Sequence, residues 1–172
     1  MDFLELAEKR YSCRSFLDKP VAKEDLEKIL EAGRLAPTAR NSQPQKIYVL
    51  EGEELLKKVD SFTKCRYNAP VVLAIGFDYD VVFNIPGKED RNFGEIDNSI
   101  VVTHMILEAE NLGIQSCWVG AFAHGEAEKI LGLPENIELT AILPIGYAAE
   151  GGKPSERHND RKALEDTVVY LK

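Results

Sequence analysis

The sequence lacks a hydrophobic run long enough to span a bilayer, and it lacks paired cysteines. Its thiols, Cys13, Cys65 and Cys117, are odd in number and form neither a C-x-x-C pair nor a metal-ligand spacing. Reduced cysteines of this kind are typical of a reducing compartment. The acidic, helical start at residues 1–8 does not resemble a secretory signal. We therefore expect a cytoplasmic protein without a disulfide framework, a metal or a membrane contact.

Several sequence motifs for catalysis and phosphate binding are also missing. There is no G-x-G-x-x-G after the first predicted strand, no phosphate-binding loop ending in G-K-[ST], no G-x-S-x-G and no H-E-x-x-H. The net charge of −8 argues against nucleic acid as a partner, because no strongly basic run offsets it. These absences leave a small-molecule site of another kind.

The length of 172 residues suits one domain with a substantial core, and helical and strand periodicities alternate along it. The pattern predicts an α+β or three-layer α/β fold with helices on both faces of a sheet. Helices are predicted over residues 2–9, 22–35, 53–62, about 95–112 and 124–131, and strands over 46–50, 70–76, 114–120, 137–147 and 167–171.

Two of these segments have patterns that are compatible with contact to a second subunit. The helix at 95–112 is apolar over more than one face, which predicts a central helix or one shared with a second subunit. The tail strand at 167–171 follows a hydrophilic stretch and cannot form a tight hairpin with what precedes it. It is expected to pair with a distant sheet edge, either its own or a partner's.

The first candidate site is the basic segment Arg10-Tyr11-Ser12-Cys13-Arg14. In an extended chain Arg10, Ser12 and Arg14 fall on one side. Guanidinium groups match phosphate oxygens bidentately and a serine hydroxyl adds a donor, so the segment could clamp an anion. The alternative is an ordinary solvated surface. Cys13 has two interpretations as well, a redox thiol or, as we favour, a small packing residue beside a phosphate.

The second candidate site is the polar loop at residues 37–44, Pro-Thr-Ala-Arg-Asn-Ser-Gln-Pro. Its small residues would let a flat ring approach the backbone, and Asn41 and Gln43 carry both donors and acceptors. The alternative is a loop that ends a helix and whose amides bond to its own backbone.

Taken together and in order, four elements resemble the nitroreductase family of FMN enzymes. They are the R-x-S-x-R segment at 10–14, the A-P-T-A-R-N-S-Q-P loop at 36–44, G-I-Q-S-C-W-V-G at 113–120, and L-P-I-G-Y at 143–147 followed by R-K-A-L-E at 161–165. They span nearly the whole chain. The sequence departs from the family pattern at Gln45, where the family has an aromatic residue, and at Gly120, where some larger members have an acidic one.

The resemblance implies a single FMN-binding domain over residues 1–172. Its fold would be α+β in three layers, α/β/α, with a mostly antiparallel mixed sheet. At the phosphate and ribityl end, the cofactor-binding residues would be Arg10, Tyr11, Ser12, Arg14 and Arg161. Along the isoalloxazine they would be Trp118, Val119, Gly120 and Ala121. A second subunit would contribute Pro37, Thr38, Ala39 and Asn41.

The resemblance further implies a homodimer with FMN at the subunit interface. The helix at 95–112 would form the dimer core. The arm from about residue 149 to 172 would reach the partner, with its C-terminal strand exchanged between subunits.

The implied activity is the reduction of nitroaromatics, quinones or similar acceptors by NADH or NADPH in a ping-pong cycle. The flavin would carry the chemistry, and no side chain would act as a catalytic residue. Two alternatives remain open. One is a flavin enzyme of the same fold with another reaction, such as dehalogenation, heterocycle oxidation or flavin fragmentation, and the other is a non-catalytic flavin carrier.

Overall fold

Residues Val71–Asp78 form the strand around which the fold is organised. The structure is a computed structural model that describes residues 2–88 and 91–171. Within this strand Val71, Leu73 and Ile75 face one hydrophobic cluster, whereas Val72 and Ala74 face a second. A strand that is apolar at successive positions must be covered on both faces. This explains why the sequence pattern predicted two helical layers.

The described residues contain five α-helices and four strands. The helices are α1 (Phe3–Lys9), α2 (Lys23–Arg34), α3 (Glu53–Phe62), α4 (Gly94–Asn111) and α5 (Glu126–Leu131), and the strands are β1 (Gln45–Glu51), β2 (Val71–Asp78), β3 (Gln115–Ser116) and β4 (Ile137–Gly146). Short 3-10 turns occupy Ala39–Asn41, Glu156–Asn159 and Leu164–Asp166.

The sheet has the order β1-β2-β4-β3, and every pair in it is antiparallel. The β2 start lies beside the β4 end, since Val71 pairs with Ile145. At the opposite end Asp78 pairs with Ile137, and Phe77 pairs with Gln45 of β1. The sheet thus has two distinct ends, separated by the length of β2, about 25 Å.

Helices α2 and α4 form the layer on one face of the sheet. Val101, Val102 and Met105 of α4 join Leu26 and Ile29 of α2 in the larger hydrophobic cluster. Gly33 permits the close approach of the two helices, because a Cβ there would lie 2.8 Å from Cγ of Met105. On the other face α3 and α5 cover the smaller cluster. The α+β fold with helices on both faces is confirmed.

The strand predicted over 114–120 is much shorter than expected. Only Gln115 and Ser116 form regular β3, although Val119 still exchanges hydrogen bonds of 3.0 Å with Ile142. Between them Cys117 donates its N–H to the Pro144 carbonyl at 3.1 Å. Proline has no N–H to donate in return, so the ladder is interrupted at this point.

The strand predicted over 167–171 is absent from the single chain. The tail carries a 3-10 turn at Leu164–Asp166 and no strand pairing among the described residues. Its side chains lie in solvent, with Val169 and Tyr170 each 80% exposed and Leu171 93% exposed. Among the described residues of this single chain, the apolar tail pairs with no edge of the sheet. The alternative, an edge belonging to a partner, stays a prediction.

Within residues 2–88 and 91–171, no helix has both the length and the apolar character needed to cross a membrane.

The packing predicts an effect of substituting Gly94, the first residue of α4. A Cβ at this position would lie 2.4 Å from the buried ring of Phe77. Alanine usually stabilises a helix relative to glycine, but overpacking here should reverse the sign. We expect Gly94→Ala to lower the free energy of unfolding by about 1–3 kcal/mol in urea denaturation.

The matched control is Gly151→Ala, where a Cβ makes only ordinary contacts at 3.7 Å with Ser15. It should change the free energy of unfolding by less than about 0.5 kcal/mol. A Gly94→Ala protein as stable as the wild type would contradict the described packing of Phe77.

Candidate functional site

The basic segment at residues 10–14 leaves α1 and runs beside β3. Arg10 ends the helix with an extended backbone, φ −61° and ψ 128°. Ser12 then pairs with Ser116 in a parallel bridge, and Cys13 donates its N–H to the Ser116 carbonyl at 2.9 Å. The structure therefore brings the first and third sequence elements together, which their positions along the chain did not require.

The inner side of this segment is fixed by packing. Cys13 is wholly buried, and its thiol lies 3.2 Å from the Ser15 carbonyl. Tyr11 donates its hydroxyl to the Gly152 carbonyl at 2.7 Å. Burial raises the pKa of the Cys13 thiol above its usual value. These contacts support the interpretation of Cys13 as a packing residue.

The outer side of the segment presents guanidinium groups with few partners. Arg14 is exposed, and its one side-chain hydrogen bond among the described residues goes to the Ser12 carbonyl at 3.4 Å. Arg161 follows three residues after His158, whose ring lies 2.9 Å from the Glu8 carbonyl, and its guanidinium bonds within the described part of the chain only to the Asp160 carbonyl, at 3.2 Å. Neither of these arginines, nor Arg10, pairs with a carboxylate within residues 2–88 and 91–171. In a chain of net charge −8, such unpaired arginines retain their capacity to bind an anion.

The segment at 118–121 forms an open strip of backbone two residues after Ser116, the residue that pairs with the basic segment. Val119 is buried and tied to Ile142, whereas Trp118, Gly120 and Ala121 are exposed. A Cβ added at Gly120 would meet nothing within 4 Å. Among the described residues, the N–H groups of Gly120 and Ala121 have no acceptor. A flat ligand could therefore lie on this strip and receive hydrogen bonds from it.

The strip borders an open cavity of about 590 Å³. The loop after α3 forms its other wall, since Thr63 donates its hydroxyl to the Ala121 carbonyl at 2.8 Å. The cavity is lined by Asp60, Ser61, Phe62, Thr63, Lys64, Cys65, Ala121 and Phe122. Sequence patterns did not single out Thr63, because nothing in its local sequence shows which distant carbonyl it binds.

The polar loop at 37–44 has a strained backbone. Arg40, Asn41 and Gln43 adopt positive φ angles of 54°, 56° and 49°, which for non-glycine residues must be stabilised by their surroundings. The stabilising contacts are present. Gln43 donates its N–H to Oγ1 of Thr38 at 3.0 Å, and Ala39 donates its N–H to a carboxylate of α4 at 2.9 Å.

Two side chains at the end of this loop have polar atoms that are buried and lack a hydrogen-bond partner within the described part of the chain. They are Oγ of Ser42 and Oε1 of Gln45. Gln45 stands at the position where the family pattern has an aromatic residue. Both atoms are enclosed by this chain and are not part of its surface.

The two candidate loops do not meet within one chain. The basic segment lies at the Val71–Ile145 end of the sheet, through its contact with Ser116. The polar loop lies at the opposite end, since Asp78 donates its N–H to the Pro44 carbonyl at 2.9 Å. The length of β2 separates them by about 25 Å. A ligand that touches both loops would need a second copy of the chain.

Comparison with known proteins places these features in a family. A family model described as the nitroreductase family matches residues 7–67 and 64–147. A nitroreductase family protein from Clostridium difficile 630 has a crystal structure that superimposes with a TM-score of 0.92 at 39% identity, covering 100% of this chain and 99% of that one.

Curated relatives agree with this placement. A protein of Archaeoglobus fulgidus, provisionally named an NADH dehydrogenase/NAD(P)H nitroreductase, is 32% identical over 151 residues, or 84% of each chain. An FMN reductase (NAD(P)H) of Bacillus subtilis is 29% identical over 177 residues, covering 93% of this chain and 71% of its own length.

The burial of the three thiols predicts their reactivity. Cys13 and Cys117 are 0% and 3% exposed and burial raises the pKa of each, whereas Cys65 is half-buried. With a disulfide reagent at pH 8, the Cys65 thiol should react at least about tenfold faster than the thiols of Cys13 and Cys117. Those two should react only after local opening of the structure. Absorbance of the released thiolate measures this.

Cys65→Ser should remove the fast phase, whereas Cys117→Ser should leave it intact. A fast phase that survives in the Cys65→Ser protein would show that Cys13 or Cys117 is accessible.

Proposed function

The chain belongs to the nitroreductase family, and on this basis we propose that it is an FMN-dependent oxidoreductase driven by NADH or NADPH. Its acceptors would be nitroaromatics, quinones or similar oxidants. The observation that carries the proposal is the pairing of the basic segment, with its unpaired arginines, to Ser116, just before the open backbone strip at 118–121. A phosphate-bearing flat cofactor needs both features at once.

At the phosphate end, the guanidinium groups of Arg10, Arg14 and Arg161 and the hydroxyl of Ser12 would hold the phosphate and the ribityl chain. Arginine favours this task because its fixed fork of donors matches phosphate oxygens. Tyr11 has its hydroxyl committed to Gly152. It would therefore contribute its backbone and its ring rather than its hydroxyl.

At the ring end, Trp118, Val119, Gly120 and Ala121 would line the isoalloxazine. When bound, FMN would supply the redox chemistry, taking up two electrons from a nicotinamide and passing them to the acceptor. The free N–H groups of Gly120 and Ala121 would donate hydrogen bonds to the ring edge and favour the added negative charge. The absence of a side chain at Gly120 keeps the ring face close to the backbone.

A homodimer completes the site in this proposal. Pro37, Thr38, Ala39 and Asn41 lie in the polar loop at the far end of the sheet, so they would line the flavin bound to the other subunit.

Two exposed apolar surfaces support the same dimer. Helix α4 leaves a stripe on its outer side in which Ile96 is 46% exposed and Ile100 and Thr103 follow at helical spacing. The arm from about residue 149 carries the exposed tail Val168–Leu171. Since β1 is an edge of the sheet, the partner's tail could add a strand beside it.

The choice of acceptor depends on the region over the flavin. The segment between β2 and α4 is short, which favours an open site and broad acceptors. A cytoplasmic location, consistent with three unpaired thiols, belongs to the same proposal. Stopped-flow reduction by NADH and by NADPH distinguishes this function from a flavin carrier, which would bind FMN yet show no reduction by either.

The phosphate role of Arg14 gives a direct test. Arg14→Glu removes a charge-assisted hydrogen bond worth about 1.5–3 kcal/mol and sets a carboxylate against the phosphate. We expect the Kd for FMN, measured by quenching of flavin fluorescence, to rise at least about tenfold. Lys58→Glu at an exposed position of α3 is the matched control and should leave the Kd unchanged. Equal affinities of the Arg14→Glu and wild-type proteins would refute the assigned role.

The role of the tail in the dimer gives a second test. A chain ending at Ala163 loses the exposed apolar residues, so it should sediment near the monomer mass of 19.2 kDa where the full chain sediments at twice that value. Replacing Glu165 and Asp166 by their amides retains the apolar tail and should leave the dimer intact. A truncated chain that remains a dimer would exclude strand exchange as its main contact.

A further inference from the structure

Helix α4 carries two carboxylates that are buried among apolar residues. Asp97 near its start is 1% exposed, and Glu110 near its end is 3% exposed. Burial raises the pKa of both groups. Burying a carboxylate is costly unless it bonds to specific partners. The partners of these two carboxylates therefore indicate what each one stabilises.

Asp97 binds the polar loop at residues 37–44. Its Oδ1 accepts the N–H of Ala39 at 2.9 Å, immediately before the positive-φ residues Arg40 and Asn41. Its Oδ2 is buried and has no partner among the described residues. The carboxylate thus anchors the strained part of the loop.

Glu110 binds the start of the basic segment. Its Oε1 lies 3.4 Å from Nζ of Lys9, the last residue of α1 and the one before Arg10. The positive charges of Lys9 and Arg10 both lower the pKa of Glu110 against the effect of burial. Burial raises the pKa of Tyr11, and the charges of Cys13 and Glu110 add to this rise. The carboxylate therefore lies among the first residues of the proposed phosphate clamp.

We propose that Asp97 and Glu110 are positioning residues that orient the two FMN-contacting loops from opposite ends of one helix. Neither carboxylate needs to touch FMN, because Asp97 acts through the Ala39 amide and Glu110 through Lys9. This inference rests on the proposed function, since it assumes that both loops contact the cofactor.

The positions of the two anchors have a consequence for the dimer. They lie about 20 Å apart along the helix axis, and the loops that they hold lie at opposite ends of the sheet. In the proposed dimer those loops belong to different FMN sites. Each α4 would then support two sites at once, one through Asp97 and the other through Glu110.

Single substitutions test the anchoring. Asp97→Ala and Glu110→Ala should each raise the Kd for FMN at least tenfold in the folded dimer. Asp97→Asn and Glu110→Gln keep an acceptor oxygen and should stay within threefold of the wild type. Glu108→Ala removes a carboxylate from the same helix and serves as the control, because the Glu108 side chain accepts a hydrogen bond from Asn111 and forms one with neither loop among the described residues. Alanine variants that bind FMN like the wild type, or amide variants that lose as much as alanine, would overturn the proposal.

A mixed dimer separates positioning from general damage. One chain carries Asp97→Ala and the other Glu110→Ala, each with its own purification tag. In the proposed dimer each FMN site takes its basic segment from one chain and its polar loop from the other. One site of the mixed dimer would therefore have both loops intact, and the other site would have both loops altered. Titration should then show one FMN per dimer bound with the wild-type Kd. Two equally weakened sites would refute the proposal.

Circular dichroism checks that each variant is folded. If an alanine variant does not fold, Asp97→Leu and Glu110→Met fill the same volume without the carboxylate and are judged by the same criteria. A wild-type protein that binds no FMN would instead refute the proposed function, so the two failures are distinguishable.

Discussion

The packing of α4 between α2 and the sheet determines where the functional groups lie. Val101, Val102 and Met105 bury the helix against β2 and α2, and Gly33 lets the two helices approach closely. Because interiors are densely packed, the helix cannot shift along the sheet without opening cavities. Its two ends are therefore fixed relative to the two ends of the sheet. The polar loop at 37–44 contacts the start of α4 through Asp97. The residue before the basic segment, Lys9, contacts the end of α4 through Glu110.

Charge adds a second constraint. The chain is acidic overall, yet Arg10, Arg14 and Arg161 have no carboxylate partners among the described residues. Meanwhile Asp97 and Glu110 are buried beneath the two loops. The arrangement places positive charge on the outer side of the basic segment and negative charge beneath it. This separation of charge favours the binding of an anionic ligand at the surface of the basic segment.

Several features of the single chain agree with the proposed dimer. Its two motif loops lie at opposite ends of the sheet, and its tail and the outer stripe of α4 expose apolar side chains. A second copy of the chain would account for both the separation of the loops and the exposed apolar side chains. For this reason the proposed dimer and the proposed FMN site are a single hypothesis.

The sequence by itself determined the family, the α+β fold and most element positions. The helix at Glu53–Phe62 matches its predicted bounds, because helical periodicity and a preceding glycine are local signals. The four motif elements identified the family because their order along the chain is itself sequence information. Only the tertiary structure showed that Pro144 interrupts the strand predicted at 114–120, since the missing N–H lies on another strand.

Tertiary structure alone also revealed Asp97 and Glu110 as anchors. In the sequence they look like ordinary charged residues of a helix, and their burial depends on what packs against α4. The same holds for Thr63, whose acceptor is a distant carbonyl. Local patterns encode which segments fold and which carry motifs. The pairing of groups far apart in the chain is decided by packing, which no local pattern specifies.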